Sequence, residues 1–201
     1  MGYLITHSLL SSWLYAMREN PFETAESEDP MVEFMKVLRR EPTETTPAMY
    51  NGIMFEDLVT DILHGCGDQR NKWYDAADRV ADIVFGSLLQ FKASKHLEID
   101  GRDIVLYGRL DCLKAGTIYD IKFSKSYDRG KYFGSTQHPT YLELIDTAER
   151  FVYVISNGND VWTEEYRRDE TKDIKPVIRD FFAWLKMKDL LSVYEEHWKS
   201  K

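Results

Sequence analysis

Apolar residues recur along this chain at two different periods, and the point where the period changes divides it. Over 6–18, and again over 29–40, the spacing is that of an amphipathic helix, the second opened by Asp29 as N-cap with Pro30 in its first turn. The first is expected to stop near "ENP" at 19–21, and "EPTETTP" at 41–47 reads as a polar linker. A third helix is predicted over about 48–64, with Phe55, Leu58, Val59, Ile62 and Leu63 in one stripe and Gly65 and Gly67 ending it. Residues 69–93 predict a fourth, with Val80, Ile83 and Val84 on one side. From 95 the period falls to two. "KHLEI", "DIVLYGRLDCLK" and "TIYDIKFS" read as strands separated by the turn signals "DGRD" and "AG". A polar stretch over 125–136 leads into a short helix at about 138–149. "RFVYVIS", "NGND" and "VWTEEYR" spell a hairpin, and Ile174, Val177, Ile178, Phe181 and Leu185 mark a helix from 173 onward. This order predicts a mixed α/β domain around a central sheet.

Composition adds boundaries. A chain of 201 residues, 43% hydrophobic and 13% aromatic, can bury a real core, which removes disorder as the default. No apolar run approaches the roughly 20 residues of a membrane span, and the N-terminus has no signal-peptide pattern, so no membrane partner is expected. Cys66 and Cys112 are too few for a disulfide framework and lack metal-ligand spacing; a reducing cytoplasm is the expected compartment. The net charge of −8 argues against coating nucleic acid through bulk charge. It leaves room for an enzyme that reaches phosphate through metal ions and local basic groups.

The acids inside the strand-like runs change the picture most. Unpaired carboxylates are costly to bury, yet Asp111 and Asp120 stand in two adjoining apolar runs. A two-residue turn at Ala115-Gly116 pairs Lys114 with Thr117, which carries Asp111 opposite Asp120 and Arg109 opposite Lys122. Alternation then puts Asp111, Asp120 and Lys122 on one face, and Leu110, Cys112, Tyr119, Ile121 and Phe123 on the other. A three-residue loop would slip the register and separate the acids. Carboxylates at roughly 4.5–5.5 Å resist joint ionisation. Two arrangements resolve the conflict: a solvated face compensated by Arg109 and Lys122, or a hard divalent cation held by carboxylate oxygens. On the 48–64 helix, at about 100° per residue, Glu56 lies at the border of the apolar stripe. Asp57 and Asp61 face away from it, so Glu56 is the acid of this helix placed to reach a sheet.

"GRLD", a turn, then "YDIK" resembles the D…(D/E)xK core of the PD-(D/E)xK nuclease superfamily, and the surrounding order is similar to its αβββαβ core. Gly52-x-x-x-Glu56 resembles motif I of the RecB-like and Cas4-like exonuclease branch, where a histidine or glutamate binds metal. Gln137-x-x-x-Tyr141 is similar to the QxxxY motif that follows the catalytic lysine there; Pro139 restricts His138 and bears on Gln137 more than on Tyr141. The resemblance covers about 48–160, and "SLLSSWLYAM" is similar to the group's opening helix.

The resemblance implies a restriction-endonuclease-like α/β fold, its central mixed sheet flanked by helices. It divides the chain into an N-terminal helical extension over 1–47 and a single compact nuclease-like domain over 48–201. It implies that Glu56, Asp111 and Asp120 hold one or two Mg²⁺ or Mn²⁺ ions, with the main-chain carbonyl of Ile121 as a further ligand. Lys122 would orient the attacking water or stabilise developing charge, and Gln137 and Tyr141 would position the water or the phosphate. Lys125, Arg129 and Lys131 form a basic run suited to contacts with the DNA backbone, as well as to an ordinary solvated loop. Cas4-like and AddB-like members carry four cysteines for an iron–sulfur cluster; two cysteines cannot supply them, so no cluster is expected. No nucleotide-binding motor motif is present, so a helicase or recombination protein would be a separate partner. The expected activity is that of a Mg²⁺- or Mn²⁺-dependent deoxyribonuclease on single- or double-stranded DNA ends, an exonuclease of recombination, repair or phage type. A noncatalytic nucleic-acid-binding or assembly module on the same fold, and a restriction-type endonuclease, are the alternatives.

Overall fold

The computed structural model of the protein describes residues 2–18 and 29–199; the helix stop expected at "ENP" lies outside them. One mixed sheet contains β1 (Tyr3–Ile5), β2 (Leu88–Ile99), β3 (Arg102–Lys114), β4 (Thr117–Phe123), β5 (Arg150–Ser156) and β6 (Val161–Arg167). Helices α1 (His7–Ala16), α2 (Pro30–Leu38), α5 (Gln137–Leu144), α6 (Lys175–Met187) and α7 (Leu191–Trp198) pack on one face, in a core that includes Leu9, Phe34, Leu106, Phe151 and Phe181. Helices α3 (Pro47–Leu63) and α4 (Tyr74–Val84) cover the other face through Phe55, Val59 and Val80. The chain is thus α/β, a mixed sheet flanked by helices. Among the described residues no helix is long and apolar enough to cross a membrane.

Local chemistry accounts for the helix starts. Thr6 accepts from the Leu9 N–H at the head of α1, Asp29 from Met31 at the head of α2, and Thr46 from Met49 at the head of α3. Pro30 and Pro47 occupy first-turn positions that need no donor.

The long strand β3 organises the sheet. β2 runs antiparallel along one edge of it, and the other edge is shared. There β1 pairs in parallel with Ile104, Val105 and Leu106, while β4 pairs antiparallel with Cys112, Leu113 and Lys114. The stretch between them, 107–111, carries neither strand and lies under α5. That close approach depends on Gly108, where a Cβ would stand 2.7 Å from Tyr141 Cε1 and 3.0 Å from Leu144 Cδ2.

Both β2–β3 and β3–β4 turn through two residues of positive φ, Asp100-Gly101 (50° and 72°) and Ala115-Gly116 (47° and 74°). This geometry matches the twist of paired strands. The second turn pairs Lys114 with Thr117, as predicted. Alanine tolerates that backbone poorly and asparagine tolerates it well. Ala115→Asn is therefore expected to raise stability by about 0.5–1 kcal/mol, read as a later urea midpoint with unchanged slope; an unmoved midpoint would show the turn to be unstrained.

Four elements differ from the sequence pattern. The predicted helix over 69–93 ends at Val84, the chain turns at Gly86 (φ 77°), and 88–93 join β2, because β3 offers that stretch a full ladder partner. The helix expected to reach 149 stops at Leu144. Arg168 donates to the carbonyls of Leu142, Ile145 and Ala148 at 2.6, 2.7 and 2.7 Å, so the last turn is satisfied without further helix. Residues 3–5 form a strand inside the sheet, and α1 and α2 belong to the main core, so the N-terminal segment is integral to the domain and not appended to it. A further helix, α7, closes the fold: Tyr194 donates its hydroxyl to the Leu4 carbonyl at 2.7 Å, and Tyr3 bridges Lys199.

Candidate active site

The candidate site lies where β4 forks away from β3. Backbone pairing stops at Cys112 with Tyr119, and beyond it the Ile121 N–H donates to the Asp111 carboxylate at 2.9 Å. Asp111 and Asp120 thus face each other in the predicted register, at a fork and not as a ladder pair. The alternation along β3 is also broken there. The β2–β3 ladder skips Gln90 and Asp111, and Gln90 has a φ of 50°. Across this break the faces exchange: Leu110 packs into the main core, whereas Cys112 packs beneath α3 with Tyr119, Ile121 and Phe123. The single apolar face expected to hold Leu110 together with Cys112 does not exist, because a left-handed residue rotates the ribbon between them.

Six elements aim side chains at the fork. Asp120 on β4 is 3% exposed and accepts from the Gln137 side-chain amide at the head of α5. Lys122 Nζ stands 2.7 Å from Asp120 Oδ2 as an ion pair, but poorly aligned, and that oxygen has no hydrogen-bond donor. Glu56 on α3 accepts from the Gln90 side chain at 2.5 Å. Burial pushes the Asp111 carboxyl up to about 8, and the nearby Asp120 and Glu56 add to the rise. Glu56 is raised by burial, with Asp120 acting in the same direction and the Gln90 bond against it. Burial alone would lower Lys122, but Asp120 outweighs it and keeps the ammonium charged. His7, at the start of α1, is lowered to about 3 by burial and then by Lys122, so it stands neutral beside the lysine.

The sequence-predicted residues divide in three. Glu56, Asp111, Asp120, Lys122 and Gln137 converge on the fork. Gln137 is the first residue of α5, which leaves Pro139 in the first turn where it is tolerated. Tyr141 is buried beside the fork: its hydroxyl donates to the Arg109 carbonyl at 3.1 Å and also meets the Gln137 side chain, and burial, then Asp120 and Asp111, raise it to about 12. Its place is against the open edge of β3. At Ile121 the N–H donates to the Asp111 carboxylate, and the carbonyl of the same extended residue faces the same strand edge. Lys131 lines a cleft of about 380 Å³ together with His7, Ser11, Arg18, Lys122 and Gln137, while Lys125 and Arg129 are exposed and outside that lining. The segment bearing these bases is tied down by Glu164 of β6, which accepts from the Gly130 and Tyr132 N–H groups and the Tyr127 and Tyr166 hydroxyls.

Gln90 and His7 are site residues that the sequence pattern did not single out. Gln90 carried a signal, a polar residue inside "LLQFKA", but its role depends on a backbone break invisible to periodicity. Because glycine adopts positive φ freely, Gln90→Gly is expected to fold with undiminished stability. Should the fork hold a divalent cation, the change is expected to weaken that binding by about 10–100-fold, the usual effect of removing a group that holds a ligand in place. Isothermal titration with Mn²⁺ and a thermal melt measure the two effects separately.

In this conformation no three acidic, histidine or cysteine side chains among the described residues converge closely enough to hold a metal ion. Each carboxylate is turned to an internal donor, Asp111 to the Ile121 N–H, Asp120 Oδ1 to Gln137 and Glu56 to Gln90, while Asp120 Oδ2 has Lys122 only as an ion-pair partner. The set nevertheless fits a hard divalent cation. Its donors are oxygens, the Asp120 Oδ2 atom is buried without a hydrogen bond, and the three acids raise one another's affinity for a positive charge.

No protein-family model and no curated protein matches the chain. Five solved chains match its fold. One, the crystal structure of SSO0001, superposes with a TM-score of 0.55 over 93% of this chain and 77% of that one, at 17% identity. The likeness is one of fold alone.

Proposed function

We propose that the protein is a metal-dependent DNA nuclease with a restriction-endonuclease-like core, formed by α3, the β2–β3–β4 meander, α5 and β5. The observation that carries this reading is the cluster at the β3–β4 fork. Three carboxylates from three elements meet one lysine, in surroundings that push Asp111 up to about 8. Solvated strand faces do not need such a cluster, and a salt bridge alone needs only one of the acids.

Glu56, Asp111 and Asp120 would hold Mg²⁺ or Mn²⁺, which when bound supplies a Lewis acid for the scissile phosphate and lowers the pKa of a coordinated water. Lys122 presents a charged ammonium at the cleft mouth and would stabilise negative charge developing on the phosphate. Gln137 fixes the rotamer of Asp120. His7, neutral, can accept or donate a hydrogen bond to the substrate without competing for a proton. Lys131 and Arg18 line the same cleft and suit the flanking backbone.

Linear and closed-circular DNA incubated with Mg²⁺ or Mn²⁺, and with EDTA as control, test the proposal. Metal-dependent loss of the linear substrate is expected. Cutting of closed circles would move the reading to an endonuclease, and no cleavage with either metal would sink it. One observation favours a second reading, a noncatalytic nucleic-acid-binding module: every carboxylate at the fork already has an internal donor. That reading requires DNA binding with no affinity for Mn²⁺.

A further inference from the structure

Lys92 and Arg109 are direct cross-strand partners on β2 and β3, and both are exposed. Like charges facing each other on a sheet are destabilising. Among the described residues neither forms an ion pair or a side-chain hydrogen bond, whereas Asp103, which faces Glu98 across the same ribbon, is met by His96 at 2.8 Å. Their flanking residues Ala93 and Leu110 pack into the main core, so the two cations point to the opposite side, the side of α3. Arg109 also acts on the Glu56 carboxyl, which places its guanidinium within electrostatic reach of the candidate site. One step further along the same face, Ser94 stands opposite the half-buried Tyr107.

We infer that this face of the β2–β3 ribbon is a binding track for a single strand of DNA, with Lys92 and Arg109 clamping its phosphates and Tyr107 offering a ring to a base. The occupant follows from charge complementarity. Two exposed cations without an ion-pair partner, one of them acting on Glu56 from a distance, suit a polyanion that passes both, and a strand entering the fork from this side does so. Bases stack on aromatic rings in sequence-tolerant single-strand tracks of this kind. The track lies on the other face of the sheet from the cleft lined by His7, Lys122 and Lys131, so the two would hold the strand on either side of the fork.

The identity of the ligand rests on the nuclease reading, but the test does not. Anisotropy of a short fluorescein-labelled single-stranded DNA is measured with the full chain in EDTA, over a salt series, for wild type, Lys92→Gln, Arg109→Gln, the double variant and the remote Lys188→Gln. The double variant is expected to bind about tenfold more weakly and to lower the salt slope by about 1.4, or about 0.7 for each phosphate no longer neutralised. Lys188→Gln should match wild type. The melting temperature of Lys92→Gln should rise, since repulsion is relieved; a fall would show a partner within the molecule and overturn the inference. Wild-type binding that is absent, or that the double variant leaves intact, also overturns it, even if Mg²⁺-dependent cleavage is found. Weakened binding by the variants without any cleavage would instead uphold the track and remove the nuclease reading.

Discussion

On the nuclease proposal, Lys122→Met is expected to lose at least about a hundredfold in DNA cleavage, and in any case to destabilise the fold by about 3 kcal/mol. Its ammonium is the cation paired with Asp120, which is 3% exposed. Removing it leaves a carboxylate with only the Gln137 amide and two neighbouring acids. Asp120→Asn should be equally inactive but no less stable without metal, because it removes a charge that repels the neighbouring acids and leaves Lys122, about a third exposed, to water. The double variant should recover the stability lost in Lys122→Met and none of the activity. Urea denaturation in EDTA and a linear-DNA assay read the two effects. If Asp120→Asn is as unstable as Lys122→Met, the acids do not repel one another and the argument for a cation at the fork fails.

Without metal, stability should fall as pH rises from about 6.5 to about 8, with a slope of up to about 1.4 kcal/mol per pH unit for the one proton involved. The Asp111 carboxyl goes from an ordinary 3.8 to about 8 on folding. Between those values the folded chain holds a proton that the unfolded chain has released, so its stabilising effect is complete in acid and is lost through the folded pKa. Glu56, also raised, acts in the same direction. His7 and His138 act oppositely, since burial lowers them to about 3 and about 4, but they erode stability only below their ordinary value of 6.5. The interval above 6.5 therefore isolates the carboxylates. The charged groups facing Asp111 are Glu56 from α3 and Asp120 and Lys122 from β4. Thermal melts in EDTA should show the decline, Asp111→Asn should flatten it, and Mn²⁺ should reverse it by binding the ionised set. A slope that survives in Asp111→Asn would place the responsible proton elsewhere.

Much of the site could be read from residue order, and the reason is local. The "AG" turn has too few residues to permit more than one pairing, so the register that opposes Asp111 to Asp120 follows from the chain itself. Helical spacing marked Glu56 as the acid of its helix able to reach a sheet, and the motif resemblance gave it a place in the site that the structure brings to the fork. The division of faces along β3 was not legible, because it depends on the left-handed backbone at Gln90, which no hydrophobic period records. Tyr141 shares the predicted motif spacing with Gln137 yet turns to a backbone carbonyl, since α5 lies against Gly108 and the unpaired edge of β3 needs a donor.

Residue order alone specifies the Asp29 cap, the turn at Ala115-Gly116, the α/β succession, and the two aspartates and lysine of the β3–β4 hairpin. These are short-range matters of period, turn length and capping chemistry. Two features arise only when distant parts of the chain meet. Gln90 and His7 join the site, and β1 and β4 share one edge of β3 and leave it open between them. In the second, competition for one strand edge, and not local preference, selects the outcome.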